Sequence, residues 1–414
     1  MMGPKKMLTE SMADAMLEYK ARLVRDFAGK PMPVIPKEVN ISFESDKEFV
    51  DYVPTDRERE FVKVLEQRYP QMAPILLLSI AGLCAWKNGL LLVGPSGLGK
   101  SAVLEALASL PLNIVRQKIW ADALSPAGAR SEGIDEQLSN HDSTIFIDDL
   151  STFLDSYTGA DSFKLFSQLI YHGSWHGFTR LQATIENARV KVYIGGTPIS
   201  VANLIDSDLW SSHIKERFFR IFMHYYNRPQ VTTERAPNLS EFFKDVDVDV
   251  DLKWNVSAEM MEKCKDMLSG QFTPTRQELF IRKFLTGNAR MNLQKEVNDE
   301  NAKFFLMFEP FSIIQKNFTF RFKEAVHKDF YTAGNLKFID IFSEVLFWIA
   351  EYPRSYEQLE EITGLTVNFL KEIVEKLEQQ VGVVASDGVK IRCVGRFAES
   401  LKHIYKTFGC EIAF

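Results

Sequence analysis

An apolar run followed by a glycine-rich turn constrains the fold of this chain more than any other feature. Residues 90–93 read LLLV, which predicts a buried strand, and residues 94–101 read GPSGLGKS. Residues 102–107 follow with the apolar spacing of a helix. A strand, a G-x-x-x-x-G-K-S turn and a helix in this order predict a phosphate-binding loop in an α/β fold. The alternative is a chance match in a glycine-rich turn, and the strand before and helix after the turn argue against it.

The residue types of this loop suit a nucleotide. Glycines let backbone N–H groups curl around phosphate oxygens, and a helix N-terminus adds partial positive charge. Lys100 is expected to reach the β- and γ-phosphates, and Ser101 to hold Mg²⁺. We therefore expect ATP and Mg²⁺ as cofactors. The expected binding residues are Gly94, Pro95, Ser96, Gly97, Leu98, Gly99, Lys100 and Ser101.

Two carboxylates follow a second apolar strand. Residues 143–150 read STIFIDDL, about 50 residues after the loop. Asp148 is placed to complete the magnesium shell, and Asp149 to polarise the attacking water. The alternative is an apolar strand that ends in surface aspartates.

Two further polar residues lie at strand boundaries. Residues 190–198, VKVYIGGTP, predict a third strand that ends at Thr197, which suits a γ-phosphate sensor or a strand cap. Arg217 ends a helical stretch just before an apolar strand at residues 218–222. Such an arginine fits a finger that reaches the γ-phosphate of a neighbouring subunit. Arg220 is the weaker choice, and an ordinary surface arginine is the alternative.

The order of these motifs resembles the AAA+ ATPases over about residues 60–300. The resemblance implies an α/β P-loop core with a parallel sheet, a helical lid and a homo-oligomeric ring, most often a hexamer. It also implies that the nucleotide sites lie at subunit boundaries.

The stretch before Thr197 resembles one AAA+ branch more than others. Residues 177–198 predict a β-hairpin ahead of the Thr197 strand, as in minichromosome maintenance-type helicases. In that family the hairpin projects into the channel of the ring. The resemblance implies that Arg180, Arg189 and Lys191 contact DNA phosphates. A sheet insertion without a DNA role is the alternative.

The lid arginine has two interpretations. TPTRQE, residues 273–278, resembles the minichromosome maintenance lid and selects Arg276. GNAR, residues 287–290, resembles the lid motif of archaeal replication initiators and selects Arg290. Either would fold over the γ-phosphate. Arg276 agrees better with the hairpin, and both could be surface helix residues.

The C-terminal pattern predicts a winged-helix domain. Helical runs occupy residues 338–352, 355–363 and 366–380, and an Asp-Gly turn lies in a hairpin at residues 381–393. Lys390 and Arg392 on the wing are the expected DNA contacts. A protein-binding winged helix is the alternative, because the third helix mixes lysines with glutamates.

Composition bounds the remaining choices. The net charge of −6 excludes a globally basic nucleic-acid coat. The 46% of hydrophobic residues among 414 supports well-formed cores. The most apolar stretch, residues 73–86, is too short to span a membrane, so we expect a soluble cytoplasmic protein. The expected domains are an N-terminal segment (1–60), the α/β core (61–228), a linker with the lid (229–334) and the winged helix (335–414).

Three functions follow from this pattern. The first is an ATP-hydrolysing motor on DNA: a replicative helicase, translocase or initiator, with a partner protein from replication or a mobile element. The second is a nucleotide-switched loader or regulator that recruits a partner without processive movement. The third is a protein remodeller that acts without DNA.

Overall fold

The structure is a computed structural model that describes residues 49–94, 99–121, 129, 133–150, 159–176, 184–197, 214, 216–223, 239–268, 271–311, 349, 353–363, 365–376, 378, 384–393 and 395–410. Helices in this part of the chain are α1 (Asp56–Glu66), α2 (Ala73–Leu83), α3 (Lys100–Ala108), α4 (Ile134–Leu138), α5 (Gly159–His172), α6 (Leu239–Phe243), α7 (Ala258–Leu268), α8 (Pro274–Met291), α9 (Asp299–Met307), α10 (Tyr356–Thr363), α11 (Val367–Lys376) and α12 (Gly395–Thr407). Strands are β1 (Asn88–Val93), β2 (Gln117–Trp120), β3 (Asp142–Ile147), β4 (Trp175–His176), β5 (Thr184–Ile185), β6 (Arg189–Gly196), β7 (Phe219–Phe222), β8 (Lys253–Asn255), β9 (Glu296–Asn298), β10 (Arg354–Ser355), β11 (Val384–Ser386) and β12 (Lys390–Cys393).

A five-stranded parallel sheet lies at the centre of the fold. Its strands run in the order β2-β3-β6-β1-β7, and every neighbouring pair is parallel. Strand β1 therefore lies between β6 and β7, and β6 lies between β1 and β3. The predicted α/β class with a parallel central sheet is confirmed.

Alternating residues of β1 cover the two faces of the sheet. Leu90 and Leu92 pack into the cluster that contains α2 and α3, whereas Leu91 and Val93 pack into the cluster that contains α5. This alternation follows from the two-residue period of a strand. Every β1 residue is buried, as expected for a central parallel strand.

Helix α2 is buried at all 11 of its positions because it lies beneath α8 as well as against the sheet. The two helices approach closely at one glycine. A Cβ placed on Gly287 of α8 would lie 1.7 Å from the carbonyl oxygen of Ala81 in α2. Only glycine permits this separation of the two backbones.

A buried polar network joins α1 to α8. Thr55 caps α1 in a capping box with Glu58, whose carboxylate also accepts hydrogen bonds from the Tyr52 hydroxyl and from Asn288 and Asn292 of α8. These bonds satisfy a carboxylate that is 1% exposed. The helix that the sequence assigned to the lid is thus fastened to the start of the described chain.

The C-terminal part contains a second, antiparallel sheet. Its three strands run in the order β10-β12-β11, with α10 and α11 preceding the hairpin. The hairpin turns at Asp387, whose Oδ1 accepts from the backbone N–H groups of Val389 and Lys390. Gly388 there has a φ of 87°. The first helix of the predicted winged helix lies outside the described residues apart from Ile349, so the complete winged helix stays a prediction.

Helix α12 leaves this sheet and packs on the α/β core. The Tyr405 hydroxyl donates to the carbonyl oxygen of Gln71 at 2.9 Å, and the ring of Phe408 lies 5.9 Å from that of Phe308. His403 stacks on Phe49 with ring centroids 4.8 Å apart. The last described helix therefore contacts the first described residues.

Among the helices that the structure describes, none combines the length and apolarity needed to cross a bilayer.

Candidate functional site

The glycine-rich turn leaves the carboxyl end of β1 and enters α3, as the sequence predicted. The N–H of Gly94 donates to the carbonyl oxygen of Gly196 at 3.1 Å, and Lys100 Nζ donates to the carbonyl oxygen of Gly94 at 2.8 Å. Gly99 precedes the helix with a φ of 80°, a conformation that favours glycine. Pro95, Ser96, Gly97 and Leu98 lie outside the described residues.

The start of α3 is suited to an anion. Its N-cap, Gly99, has no side chain to accept hydrogen bonds from the first-turn N–H groups. These donors and the helix dipole favour a phosphate oxygen at this position. Ser101 is exposed in the same turn. The described residues of the loop thus fit the phosphates of a nucleotide.

The predicted carboxylates and Thr197 end the two neighbouring strands at the same edge. Val93 is paired with Gly196, and Ile147 is paired with Ile194. Asp148 therefore lies beside Gly195, where a Cβ would lie 2.5 Å from the Asp148 carbonyl oxygen. With strands about 4.8 Å apart, the loop and the carboxylates are separated by about 10 Å, with Thr197 between them.

This arrangement supplies the donor and acceptor types that a magnesium–nucleotide complex requires. Asp148 is exposed and offers carboxylate oxygens, Ser101 offers a hydroxyl, and Lys100 offers an ammonium group. Asp149 is half-buried beside Asp148. The residues present fit Mg²⁺ and a triphosphate.

Arg217 lies at the opposite edge of the sheet. Strand β7 begins with Phe219 paired to Leu90, and a Cβ placed on Gly89 would lie 2.7 Å from the carbonyl oxygen of Arg217. Arg217 is therefore level with the amino end of β1, whereas the loop follows its carboxyl end. The six residues of β1 span about 20 Å. Arg217 cannot reach the loop of its own chain across this distance.

Arg217 shares an aromatic ring with Arg276. The Cζ of Arg217 lies 5.5 Å from the ring centroid of Tyr171, and the Cζ of Arg276 lies 4.2 Å from the same centroid. Burial, and next the positive charge of Arg276, lower the pKa of Arg217. Nη1 of Arg217 is buried and has no hydrogen-bond partner in the part of the chain that the structure describes. The pair therefore carries two positive charges and a donor without an acceptor.

A hydrogen-bonded contact joins the segments that carry these arginines. One carboxylate oxygen of Glu216 accepts from the backbone N–H of Thr273 at 3.1 Å and from its hydroxyl at 2.9 Å. Glu216 directly precedes Arg217, and Thr273 is the N-cap of α8, which carries Arg276. This contact fixes the first turn of α8 against the turn before β7.

The arginine pair lines a cleft of about 540 Å³. Among the described lining residues, seven basic side chains face two acidic ones, Glu216 and Asp251. The basic residues are Lys87, Arg189, Arg217, Arg276, Arg282, Lys283 and Arg290. Burial, followed by the charges of Arg276 and Lys87, lowers the pKa of Lys283 to about 8. The cleft has the electrostatic character of an anion site.

The structure corrects the prediction for Lys191. This residue lies inside β6, is 6% exposed, and donates from Nζ to the carbonyl oxygens of Leu83 and Ile114. Its ammonium group is therefore enclosed beneath α2 and does not face DNA. Arg189, at the start of the same strand, is held in ion pairs with Asp142 at 2.5 Å and Asp249 at 2.9 Å. Both acceptors would have to be released before Arg189 bound a phosphate.

The second correction concerns Arg290. This residue is 4% exposed, and its guanidinium donates to the carbonyl oxygens of Cys84 and Val250 and lies over the ring of Trp86. It therefore holds backbone segments together and cannot fold over a phosphate. Arg220, the weaker finger choice, is 2% exposed inside β7 and donates to the carbonyl oxygen of Gln271.

The remaining DNA predictions fall on exposed or undescribed positions. Strands β4 and β5 pair antiparallel where the hairpin was predicted, but the connecting residues 177–183, with Arg180, lie outside the described residues. Lys390 and Arg392 are exposed on one face of β12. Their DNA roles stay predictions.

Tyr171, Glu216 and Thr273 were missed by the sequence analysis. Tyr171 is the next-to-last residue of the amphipathic helix α5, and the sequence around it has no pattern that indicates a contact with arginine. Thr273-Pro274 is a recognisable helix start, but its bond to Glu216 spans 57 residues. Only the folded arrangement brings these residues together.

Comparisons with known proteins add little to this geometry. No protein-family model matches the chain, and no curated protein matches it. A solved structure of a full-length MCM homolog from Methanopyrus kandleri is similar, with 12% identity and a TM-score of 0.38. The similarity covers 67% of this chain and spans 62% of that chain. This degree of likeness carries no argument about function, so the residues themselves must carry it.

Proposed function

We propose that this chain is an ATP-hydrolysing AAA+ motor that acts on DNA as an oligomer. Each nucleotide site combines the loop of one copy with Arg217 and Arg276 of the adjacent copy. The observation that carries this proposal is the separation of about 20 Å between the amino and carboxyl ends of β1. Arg217 lies at one end and the loop lies at the other.

At the carboxyl edge, each residue has a distinct role. Lys100 and the first-turn N–H groups of α3 hold the phosphates, and Ser101 and Asp148 hold Mg²⁺. Asp149 orients and polarises the attacking water, with Thr197 beside it. Bound Mg²⁺ would neutralise phosphate charge at this edge.

At the opposite edge, Arg217 and Arg276 stabilise the charge that develops on the γ-phosphate of the adjacent copy. Among the described residues, the buried Nη1 of Arg217 has no hydrogen-bond acceptor, which supports an acceptor supplied by the adjacent copy. Arginine supplied in trans accelerates phosphoryl transfer by about 10³–10⁵-fold in known systems. Because the arginines come from another subunit, hydrolysis depends on assembly.

A mixing experiment tests this shared site. Lys100→Ala lacks a working loop but keeps its arginines, and Arg217→Ala has the reverse defect. Each alone should hydrolyse ATP at least about 10³-fold more slowly than the wild type. A mixture of the two should recover activity, because about a quarter of randomly formed interfaces join an intact loop to an intact Arg217.

The control is Arg59→Ala, which removes an exposed arginine paired with Asp56 on α1. It should retain the wild-type rate and should not change the result of mixing. An Arg217→Ala variant with full activity would contradict the shared site. Failure of the two variants to complement, with oligomers present by light scattering, would contradict it as well.

DNA engagement rests on Arg180, Lys390 and Arg392. The ATPase rate should rise with single-stranded or duplex DNA, and the rise should weaken with salt because phosphate contacts release counterions. Arg180→Ala should abolish the stimulation of the ATPase rate by DNA, because it removes the hairpin contact. The double variant Lys390→Ala/Arg392→Ala should reduce the affinity for DNA. These variants should leave the DNA-independent rate unchanged.

A second candidate is a nucleotide-switched loader or regulator. The burial of Lys191 and the ion pairs of Arg189 favour it, because two of the three predicted hairpin contacts are not available to DNA. A slow ATPase that complements on mixing but ignores DNA would support the switch over the motor.

A further inference from the structure

We propose that Tyr171 is a positioning residue whose ring holds Arg217 and Arg276 side by side for one phosphate of the adjacent copy. The proposal rests on the function proposed above and adds a residue to the site. Both Cζ atoms, at 5.5 Å and 4.2 Å from the ring centroid, lie within about 6 Å, the range of a cation–π contact.

Two neighbouring guanidinium groups repel each other when no anion lies between them. Among the described residues, no ion pair joins Arg217 or Arg276 to a carboxylate, and the nearby carboxylate of Glu216 is bonded to Thr273. The negative face of an aromatic ring attracts each cation without neutralising it. Tyr171 therefore offsets the repulsion and leaves both charges available to a ligand.

The ring is itself held by a rigid element. Tyr171 lies in the last turn of α5, whose residues Phe163, Phe166 and Ile170 are buried against the sheet. Its ring meets that of His172 edge to face at 4.6 Å. Tyr171 remains 46% exposed, so its ring contributes little to the core. Because its helix is packed on the sheet while its ring faces solvent, Tyr171 is better placed to hold a ligand-binding side chain than to fill the core.

Three contacts then define where the arginines lie. Glu216 fastens the backbone before Arg217 to Thr273, and Tyr171 fastens the two guanidinium ends. Two guanidinium groups held near one ring offer several N–H donors, and such donors match the oxygens of a phosphate. Arginines set in place before the ligand arrives lose less entropy when they bind it.

The test compares Tyr171→Phe, which keeps the ring face, with Tyr171→Leu, which removes it. We expect Tyr171→Phe to stay within about twofold of the wild-type kcat, because the ring face is retained. We expect Tyr171→Leu to lose about tenfold to a hundredfold in kcat, as for a catalytic group displaced by about 1 Å. The KM for ATP should change little, since the loop is intact.

Mixing identifies the edge on which Tyr171 acts. Tyr171→Leu mixed with Lys100→Ala should recover activity, because the two defects lie on opposite edges. Tyr171→Leu mixed with Arg217→Ala should not recover, because both lack the same edge. Assembly driven by a slowly hydrolysed ATP analogue, followed by analytical ultracentrifugation, gives a readout besides turnover. Tyr171→Leu should need about tenfold more protein to assemble.

Each other outcome decides the matter. A wild-type kcat for Tyr171→Leu overturns the proposal, and so does an equal loss in Tyr171→Phe, which would point to the hydroxyl. If Lys100→Ala and Arg217→Ala complement while Tyr171→Leu is unaffected, the shared site stands and the positioning role of Tyr171 alone falls. If the wild type hydrolyses no ATP, both fall.

Discussion

Lys191 gives a quantitative test of the buried position that the structure assigns to it. The side chain lies beneath α2, where its Nζ donates to two carbonyl oxygens. Burial lowers its pKa from 10.5 to about 8. Lys191→Met keeps much of the volume and removes the titratable group.

The sign follows from the protons bound in each state. Between pH 8 and 10.5 the unfolded chain binds more protons at Lys191 than the folded chain, so stability rises with pH. The buried Lys191 lowers the free energy of unfolding by about 3 kcal/mol at pH 7.5 and by about 1 kcal/mol at pH 9.5. Lys191 should therefore contribute about 2 kcal/mol of additional stability across this interval.

The assay is chemical denaturation of the wild type and Lys191→Met at pH 7.5 and pH 9.5. The difference in unfolding free energy between the two proteins should change by about 2 kcal/mol, with the wild type gaining. Loss of the two hydrogen bonds adds an offset that does not depend on pH. Taking the difference also cancels Lys283, whose pKa is likewise about 8.

The charged groups around Lys191 do not alter this expectation. After burial, Asp142 raises the pKa of Lys191, and Arg116 and Arg290 lower it. The pKa of Cys84 is raised to about 12 by burial, so it stays a thiol throughout the interval. The control, Lys63→Met, alters an exposed lysine of α1 and should show no pH dependence. An equally flat difference for Lys191→Met would refute the buried position and return the lysine to an exposed hairpin.

Three further predictions concern contacts between elements. Gly287→Ala should lower the unfolding free energy by about 3 kcal/mol, because its Cβ would force α8 away from the Ala81 carbonyl; thermal denaturation measures this. Tyr405→Phe should cost about 1–2 kcal/mol in denaturant unfolding by removing the hydroxyl that donates to the buried Gln71 carbonyl, and an unchanged midpoint would argue against that bond. Glu216→Ala should lower the kcat for ATP while leaving KM near the wild-type value, because it releases the turn before β7 from α8. Steady-state kinetics measures both constants, and a rise in KM alone would contradict this prediction.

The carboxyl edge of the sheet was predictable because its signals are local. The loop follows β1 directly, α3 begins at Lys100, and β3 ends one residue before Asp148. Parallel strands then bring these ends together without any further information. Arg217 before β7 was predictable for the same reason.

The assignments of Arg290 and Lys191 were wrong because distant elements bury both side chains. Arg276 and Arg290 lie on one helix, about 21 Å apart along its axis, so they could not have served one phosphate. Which end of α8 is covered depends on α2 and on residues near Val250, far away in sequence. Lys191 was placed on a hairpin, but β6 already begins at Arg189 and runs through the centre of the sheet.

The return of α12 to the core affects how the chain folds while it is being made. Phe408 packs against Tyr52, Phe304 and Phe308, so an apolar patch formed by earlier residues is covered only once α12 has been synthesised. Until then the emerging chain exposes aromatic surface of the kind that drives aggregation or recruits chaperones. A chain shortened to end at Cys393 would keep that surface permanently, and its insolubility would reflect a missing cover even with β1–β12 all present.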